Sequence, residues 1–263
     1  MKVSHDVVRE DDVPGIHVAI LIPSHDMIHS TFAYDLARLC ILTSGSFMAP
    51  GSISKLSIHT ATDTLIHRAR QSLADAALEY GADYALWLDA DMRFPKEILI
   101  QMLMRAEELH PLEGHVYPLL GVNYSTRGMP PRYVAWKKVP DRERADGERL
   151  VTDDTTSGME DVEAFGFGCV LMHTNVLKAL DEKRPRPWFR FAYDDELGKH
   201  IGEDVYFCRL VRELGFPAVI DHDVSKGVRH TGTFEYALGH VLDYEEGLRD
   251  AREAQENAAA DDV

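Results

Sequence analysis

The sequence predicts an α/β fold, a doubly wound, mainly parallel sheet flanked by helices. Three observations predict it. Short, continuous apolar runs have strand length, segments of helical period lie between them, and polar residues punctuate the point where each run ends.

Taken in order, His17-Val18-Ala19-Ile20-Leu21-Ile22 is an unbroken apolar run that empties into Pro23-Ser24-His25-Asp26. A parallel strand buried on both faces reads this way. Residues 31–42 carry helical periodicity and stop before Gly45. A short strand is expected over 55–59, followed by Thr62-Asp63 as the N-cap of a long helix. That helix shows an apolar face of Leu65, Ile66, Ala69, Leu73, Ala76 and Ala77 and ends at Gly81. Asp83-Tyr84-Ala85-Leu86-Trp87-Leu88 is the next buried strand, running out into Asp89-Ala90-Asp91. A helix follows with Pro95 near its first turn and apolar Ile98, Leu99, Met102 and Leu103, then a strand over 116–122.

Residues 124–160 turn rich in Pro, Gly, Arg and Asp, with one strand-like piece at 133–137, as an insertion or active-site flap does. The core resumes with a strand over 168–173 and a helix from Asn175. Residues 183–202, dense in Arg, Pro and aromatics, are expected to form a mobile loop. A helix over 203–214, a strand over 218–220 and a helix from Phe234 into an Ala/Glu tail complete the chain. The expected organisation is a polar leader over 1–15, a single domain over 16–242 and an acidic tail over 243–263.

The composition, 263 residues with 45% hydrophobic and 27% charged, is that of an ordinary globular enzyme. A formal net charge of −16 argues against a surface that grips phosphate backbones indiscriminately, while leaving room for a local basic patch. Cys40, Cys169 and Cys208 are far apart and are expected to be small buried hydrophobes in a reducing compartment. No apolar run approaches the roughly 20 residues of a membrane span, and Met1 to Pro14 lacks a signal-peptide core. The expectation is a cytoplasmic protein without stable membrane insertion.

Four constellations carry chemistry. Asp89 and Asp91, one residue apart at a strand exit, can hold a hard divalent cation and, through it, phosphate oxygens. Such a pair is also a common solvated turn, and Asp221-His222-Asp223 is a second instance; the apolar run before Asp89 favours the functional reading. Glu203-Asp204 opens a helix, either complementing its dipole or supplying a general base toward an acceptor hydroxyl. His222 and His230 enclose Lys226 and Arg229, a cluster suited to a metal and a diphosphate, or simply a solvated charged loop. Arg184, Arg186 and Arg190 alternate with Trp188, Phe189 and Phe191, and Arg127 and Arg132 add charge in the flap. That segment is either an acceptor platform or a lid that buries Trp188 against the sheet.

In this order, the strand ending near Pro23, the helix with Ala69-Arg70, Asp89-Ala90-Asp91, Phe165-Gly166-Phe167-Gly168, Glu203-Asp204 and His230 resemble the GT-A glycosyltransferases, close to the family 2 type. The resemblance covers roughly residues 16–235. A second resemblance, through Gly121-Val122-Asn123-Tyr124, is to small proteins of bacteriophages and prophages.

The first resemblance implies a GT-A-like fold and a sugar transferred from a nucleoside-diphosphate sugar, with Mn²⁺ or Mg²⁺, to a hydroxyl acceptor. It implies Pro23, Ser24 and His25 against the nucleobase and ribose, and Arg70 supporting the nucleotide pocket. Asp91 and His230 would bind the metal, with Asp89 acting through the ribose or a metal-bound water. Gly166 and Gly168 would let backbone approach the donor sugar, unless they form only a bulge at the strand entry. Asp204 would be the base of an inverting displacement, with Glu203 beside it positioning the acceptor. Trp188 and Arg190 would meet an acceptor such as a modified DNA base or a phosphorylated saccharide. A sugar nucleotidyltransferase uses a similar sheet and metal, but would carry a Gly-rich basic loop where Pro23-Ser24-His25-Asp26 stands. A non-catalytic nucleotide-sugar-binding module is the remaining alternative.

Overall fold

The structure, a computed structural model, describes residues 3–7, 15–44, 53–109, 117–128, 130–138, 148–195, 198–233 and 249–250. The chain divides into two units, Met1–Thr231 and Gly232–Val263. Apart from 249–250, which are helical, the helix expected from Phe234 and the acidic tail lie outside the described residues.

The first unit opens with β1 (Val3–Val7), β2 (Ile16–Ser24), α1 (Ser30–Ser44), β3 (Ile53–Thr62) and α2 (Ile66–Glu79). Next come β4 (Tyr84–Leu88), β5 (Met92–Arg93), α3 (Ile98–Glu108), β6 (Leu119–Gly121) and β7 (Trp136–Lys137). Then follow β8 (Met159–Ala164), β9 (Cys169–His173), α4 (Asn175–Lys183), β10 (Ala192–Asp194) and β11 (Lys199–Ile201). The unit closes with α5 (Glu203–Glu213), β12 (Ala218–Asp221), α6 (His222–Ser225) and β13 (Arg229–His230).

Nine strands form one sheet in the order β1-β3-β2-β4-β9-β6-β12-β8-β7. Strands β3, β2, β4, β6, β12 and β7 run one way; β1, β9 and β8 run against them. The expected α/β class with a predominantly co-directional sheet is therefore observed. Alternate residues of β2 and β4 serve opposite faces. Ala19, Leu21, Ala85 and Trp87 meet Leu73 of α2, Leu177 of α4 and Phe207 of α5. Val18, Ile20, Leu86 and Leu88 meet Phe32 of α1 and Leu99 and Met102 of α3. Both faces are covered, which is why these strands read as unbroken apolar runs.

Several expectations are corrected. The polar leader contributes a strand: β1 pairs antiparallel along β3 from Val3 opposite Ala61 to Val7 opposite Ser57. The expected loop over 183–202 contains the hairpin β10–β11, with Ala192 opposite Ile201. The flap ends in β8, which joins the sheet beside β12, and its expected strand shrinks to β7. Asp63 is not the N-cap of α2: that position is Leu65, without a side-chain cap, and Asp63 Oδ1 accepts from Leu65 N at 3.0 Å in the turn before the helix. Asp221 lies in no solvated turn: it is buried, accepts from Val224 N at 2.9 Å, and pairs with Arg105 Nε at 2.8 Å. The cysteines are free, Cys169 and Cys208 buried and Cys40 half-buried. Among the described residues no helix is long and apolar enough to cross a membrane.

Candidate functional site

The site is built where β4 ends. Asp89 N donates to Gly168 O at 3.0 Å, and Met92 N returns to Asp89 O at 3.0 Å, closing a turn over the sheet edge. The turn enters β5, which pairs antiparallel with β13 so that His230 stands opposite Met92. Thr231 N donates to Asp91 O at 2.8 Å. This two-stranded clip brings a histidine 139 positions downstream, 230 less 91, against Asp91.

Arg70 holds the next layer together. It lies in α2, is 4% exposed, and donates through Nη2 to both oxygens of Asp89 at 3.2 and 3.0 Å. Its Nη1 donates to Glu203 Oε1 at 3.0 Å, and its guanidinium lies 5.2 Å from the Phe167 ring centroid. Burial works against the charge, but the Asp89 and Glu203 carboxylates outweigh it and hold the guanidinium above its ordinary range. Burial likewise pushes the Asp89 carboxyl up, against the pull of Arg70. Arg70 thus faces two carboxylates of its own chain. Glu203, 7% exposed, accepts from Arg70 in this bridge. A cation removed from water needs such pairing.

Asp204, the next residue, is half-buried at the start of α5 and accepts from Val205 N at 2.8 Å. Burial raises its carboxyl above the ordinary range although Arg70 pulls the other way. Gly202 gives it room: a Cβ there would lie 2.8 Å from Asp204 Oδ1.

Asp91 is different from Asp89. Its Oδ2 receives Arg127 Nη1 at 2.8 Å and lies 3.3 Å from His230 Nε2. Its Oδ1 is buried and has no hydrogen-bond partner. Burial lifts the carboxyl, but His230 and Arg127 outweigh that and hold it below the ordinary range. His230 Nδ1 lies 3.0 Å from Ser125 O. A carbonyl only accepts, so Nδ1 carries the proton, and a neutral ring turns its Nε2 lone pair toward Asp91. Two lone pairs then face each other unless a proton or a metal ion lies between them.

No group of three or more His, Cys, Asp or Glu able to hold a metal occurs among the described residues. Asp89, also expected in the metal set, has both oxygens on Arg70. Asp91 and His230 still suit a divalent cation, because Mg²⁺-type sites use one or two protein ligands completed by water and substrate phosphates.

Tyr124 is a residue the sequence reading missed. It is buried, its hydroxyl accepts from Gly168 N at 3.0 Å, and its ring stands edge-on to His230 at 5.3 Å. A Cβ on Gly166 or Gly168 would fall 2.8 or 2.6 Å from Tyr124 Oη. The space a Cβ would need at those glycines is therefore filled by Tyr124. Its signal in the sequence is the motif Gly121-Val122-Asn123-Tyr124, which it ends.

Pro23 is buried at the end of β2, Ser24 half-buried and His25 exposed, 2.9 Å from Asp26. Since β2 and β4 are parallel neighbours, these residues share the sheet edge of Asp89.

Of the two readings of the arginine-rich segment, Trp188 follows the buried one. Trp188 is 0% exposed, so its indole offers no face to a ligand. Its apolar neighbours explain this: Phe189 stacks on Phe207 at 4.2 Å and meets Phe167 at 5.3 Å. Arg184 pairs with Glu213 at 2.8 Å and Arg186 with Asp181 at 2.9 Å. Arg190 remains at the surface, 4.6 Å from the Tyr206 ring centroid, beside exposed Phe191. Lys226 donates to Thr156 O at 2.7 Å and lies 3.8 Å from Asp223.

No family model matches the chain, and no curated protein does. Among solved structures it is similar to A197 from STIV, at 18% identity and a TM-score of 0.47, over 85% of this chain and 97% of that one. It is also similar to S. aureus TarS 1-349 in complex with UDP-GlcNAc, at 11% identity and a TM-score of 0.46, over 84% of this chain and 60% of that one.

Proposed function

We propose that the chain is a glycosyltransferase that moves a sugar from a nucleoside-diphosphate sugar to a hydroxyl acceptor, with a divalent cation at Asp91 and His230. The observation that carries the reading is the division of labour around one sheet edge. Arg70 neutralises Asp89 and Glu203, while Asp91 keeps a buried oxygen without a partner and Asp204 stays half-buried with a raised affinity for a proton. A carboxylate suited to a cation and a proton acceptor are thereby gathered around one Arg70-centred bridge.

Asp204 takes the proton from the acceptor hydroxyl, whose oxygen attacks the anomeric carbon. The bond from that carbon to the diphosphate oxygen breaks, and its electron pair leaves on the nucleoside diphosphate. A single displacement of this kind inverts the anomeric centre. The cation, when bound, neutralises the charge on the departing diphosphate. Asp91 and His230 hold that end of the donor. Pro23, Ser24 and His25 line the nucleoside side, while Gly166 and Gly168 seat Tyr124 beneath it. Arg190, with Phe191, is the contact left for an acceptor carrying negative charge, such as a modified DNA base or a phosphorylated saccharide.

The test is a screen of nucleotide-sugars for hydrolysis and transfer with Mn²⁺, read by released nucleoside diphosphate and by the anomer of the product. Turnover of one donor with inversion supports the reading. Consumption of a nucleoside triphosphate with release of pyrophosphate would identify a nucleotidyltransferase, and no turnover of either would leave a binding module.

A further inference from the structure

Arg127 lies where the reading above needs a cation. Its side chain is 53% exposed, yet Nη1 is 2.8 Å from Asp91 Oδ2, the oxygen that His230 Nε2 also faces. The position is fixed from the backbone. Ser125 O, two residues earlier, anchors His230 Nδ1 at 3.0 Å. Thr126 N donates to Arg132 O at 2.8 Å, and Arg132 N returns to Thr126 Oγ1 at 3.1 Å, closing the turn that carries Arg127. One short segment therefore orients the histidine and delivers a guanidinium to the carboxylate beside it.

We propose that Arg127 is a donor-binding residue that shares Asp91 with the divalent cation and passes from the carboxylate to the donor's diphosphate. The proposal rests on the glycosyltransferase reading and extends it to a residue outside the metal pair. Asp91 Oδ2 cannot accept the guanidinium and a divalent cation side by side without bringing two positive charges together. An ion pair this open to water is weak and exchanges readily. The diphosphate that accompanies the cation offers the displaced guanidinium a planar, bidentate partner, the recognition for which arginine is suited. Arg127 thus competes with the metal alone and cooperates with the metal-bound nucleotide.

This makes the two effects of Arg127→Ala opposite in sign. Mn²⁺ alone, titrated by electron paramagnetic resonance, should bind the variant about three- to tenfold more tightly than wild type. UDP, GDP, ADP and CDP, each titrated in saturating Mn²⁺, should show the bound nucleotide weakened about tenfold or more. Arg127→Lys should restore the competition with Mn²⁺ and only part of the nucleotide affinity. A variant in which either affinity is unchanged, or in which both move the same way, overturns the proposal while leaving the glycosyltransferase reading intact. Failure of wild type to bind any of the four nucleotides would overturn both.

Discussion

Arg70 grips Asp89 with one nitrogen on both carboxylate oxygens, at 3.2 and 3.0 Å, so the first acid of Asp89-Ala90-Asp91 has its charge answered from within the protein. The two acids of that motif are therefore unequal: Asp89 has both oxygens on Arg70, whereas Asp91 keeps a buried oxygen without a hydrogen-bond partner. Arg70→Met would leave a buried Glu203 and a half-buried Asp89 without their counter-charge. The expected cost is about 3–5 kcal/mol, measured by urea unfolding followed by circular dichroism. A variant within about 1 kcal/mol of wild type would contradict the bridge's structural weight.

Asp204→Asn should lower transfer by about 10²-fold or more while leaving affinity for the nucleotide-sugar nearly unchanged. Because burial raises the Asp204 carboxyl, the acid limb of kcat/KM should lie above the range of a free carboxylate. The sign for stability is the converse. A raised folded-state pKa favours the protonated fold, so this contribution is full at acid pH and is lost as pH rises through the folded value. An active Asn variant, or an acid limb at the free-carboxylate position, would remove Asp204 from the role of base.

The sheet was legible in the sequence because a strand covered on both faces leaves an uninterrupted apolar run, as at 17–22 and 84–88. The pairing of Asp91 with His230 was legible too, through the resemblance of motif order rather than through spacing. What stayed hidden depends on tertiary partners. β1 is an edge strand whose pairing is made by backbone groups, and its sequence Val3-Ser4-His5-Asp6-Val7 has no apolar run to betray it. Trp188 stayed open to both readings because it sits among arginines; Phe189 and Phe207 draw that stretch into the core. Arg70's two carboxylate partners are 19 and 133 positions away, beyond any local pattern.

Trp188 and Arg190 should separate stability from recognition. Trp188→Ala should destabilise by about 3–5 kcal/mol through the cavity it leaves. Arg190→Ala should unfold as wild type does and raise the acceptor KM, most strongly for anionic acceptors at low salt. Loss of stability in Arg190→Ala, with unchanged acceptor kinetics, would make that arginine structural.

Gly168→Ala would place a Cβ 2.6 Å from Tyr124 Oη, 2.7 Å from its Cζ and 2.9 Å from Met92 Sδ. The ring must shift, at a cost of about 1–3 kcal/mol in thermal or urea unfolding. Combining it with Tyr124→Leu, which removes the two closest atoms, should recover part of that loss. Strict additivity of the two substitutions would mean that glycine and ring are not packed as described.

The central claim is that Asp91 and His230 recruit a cation which in turn holds the donor's diphosphate. Calorimetric titration of the nucleoside diphosphate released in the nucleotide-sugar screen, with Mn²⁺ and then with chelator, addresses it directly. Binding in Mn²⁺ should fall by about tenfold or more in chelator, and equally in Asp91→Ala with Mn²⁺ restored. Equal affinity with metal, with chelator and in the variant would contradict the account.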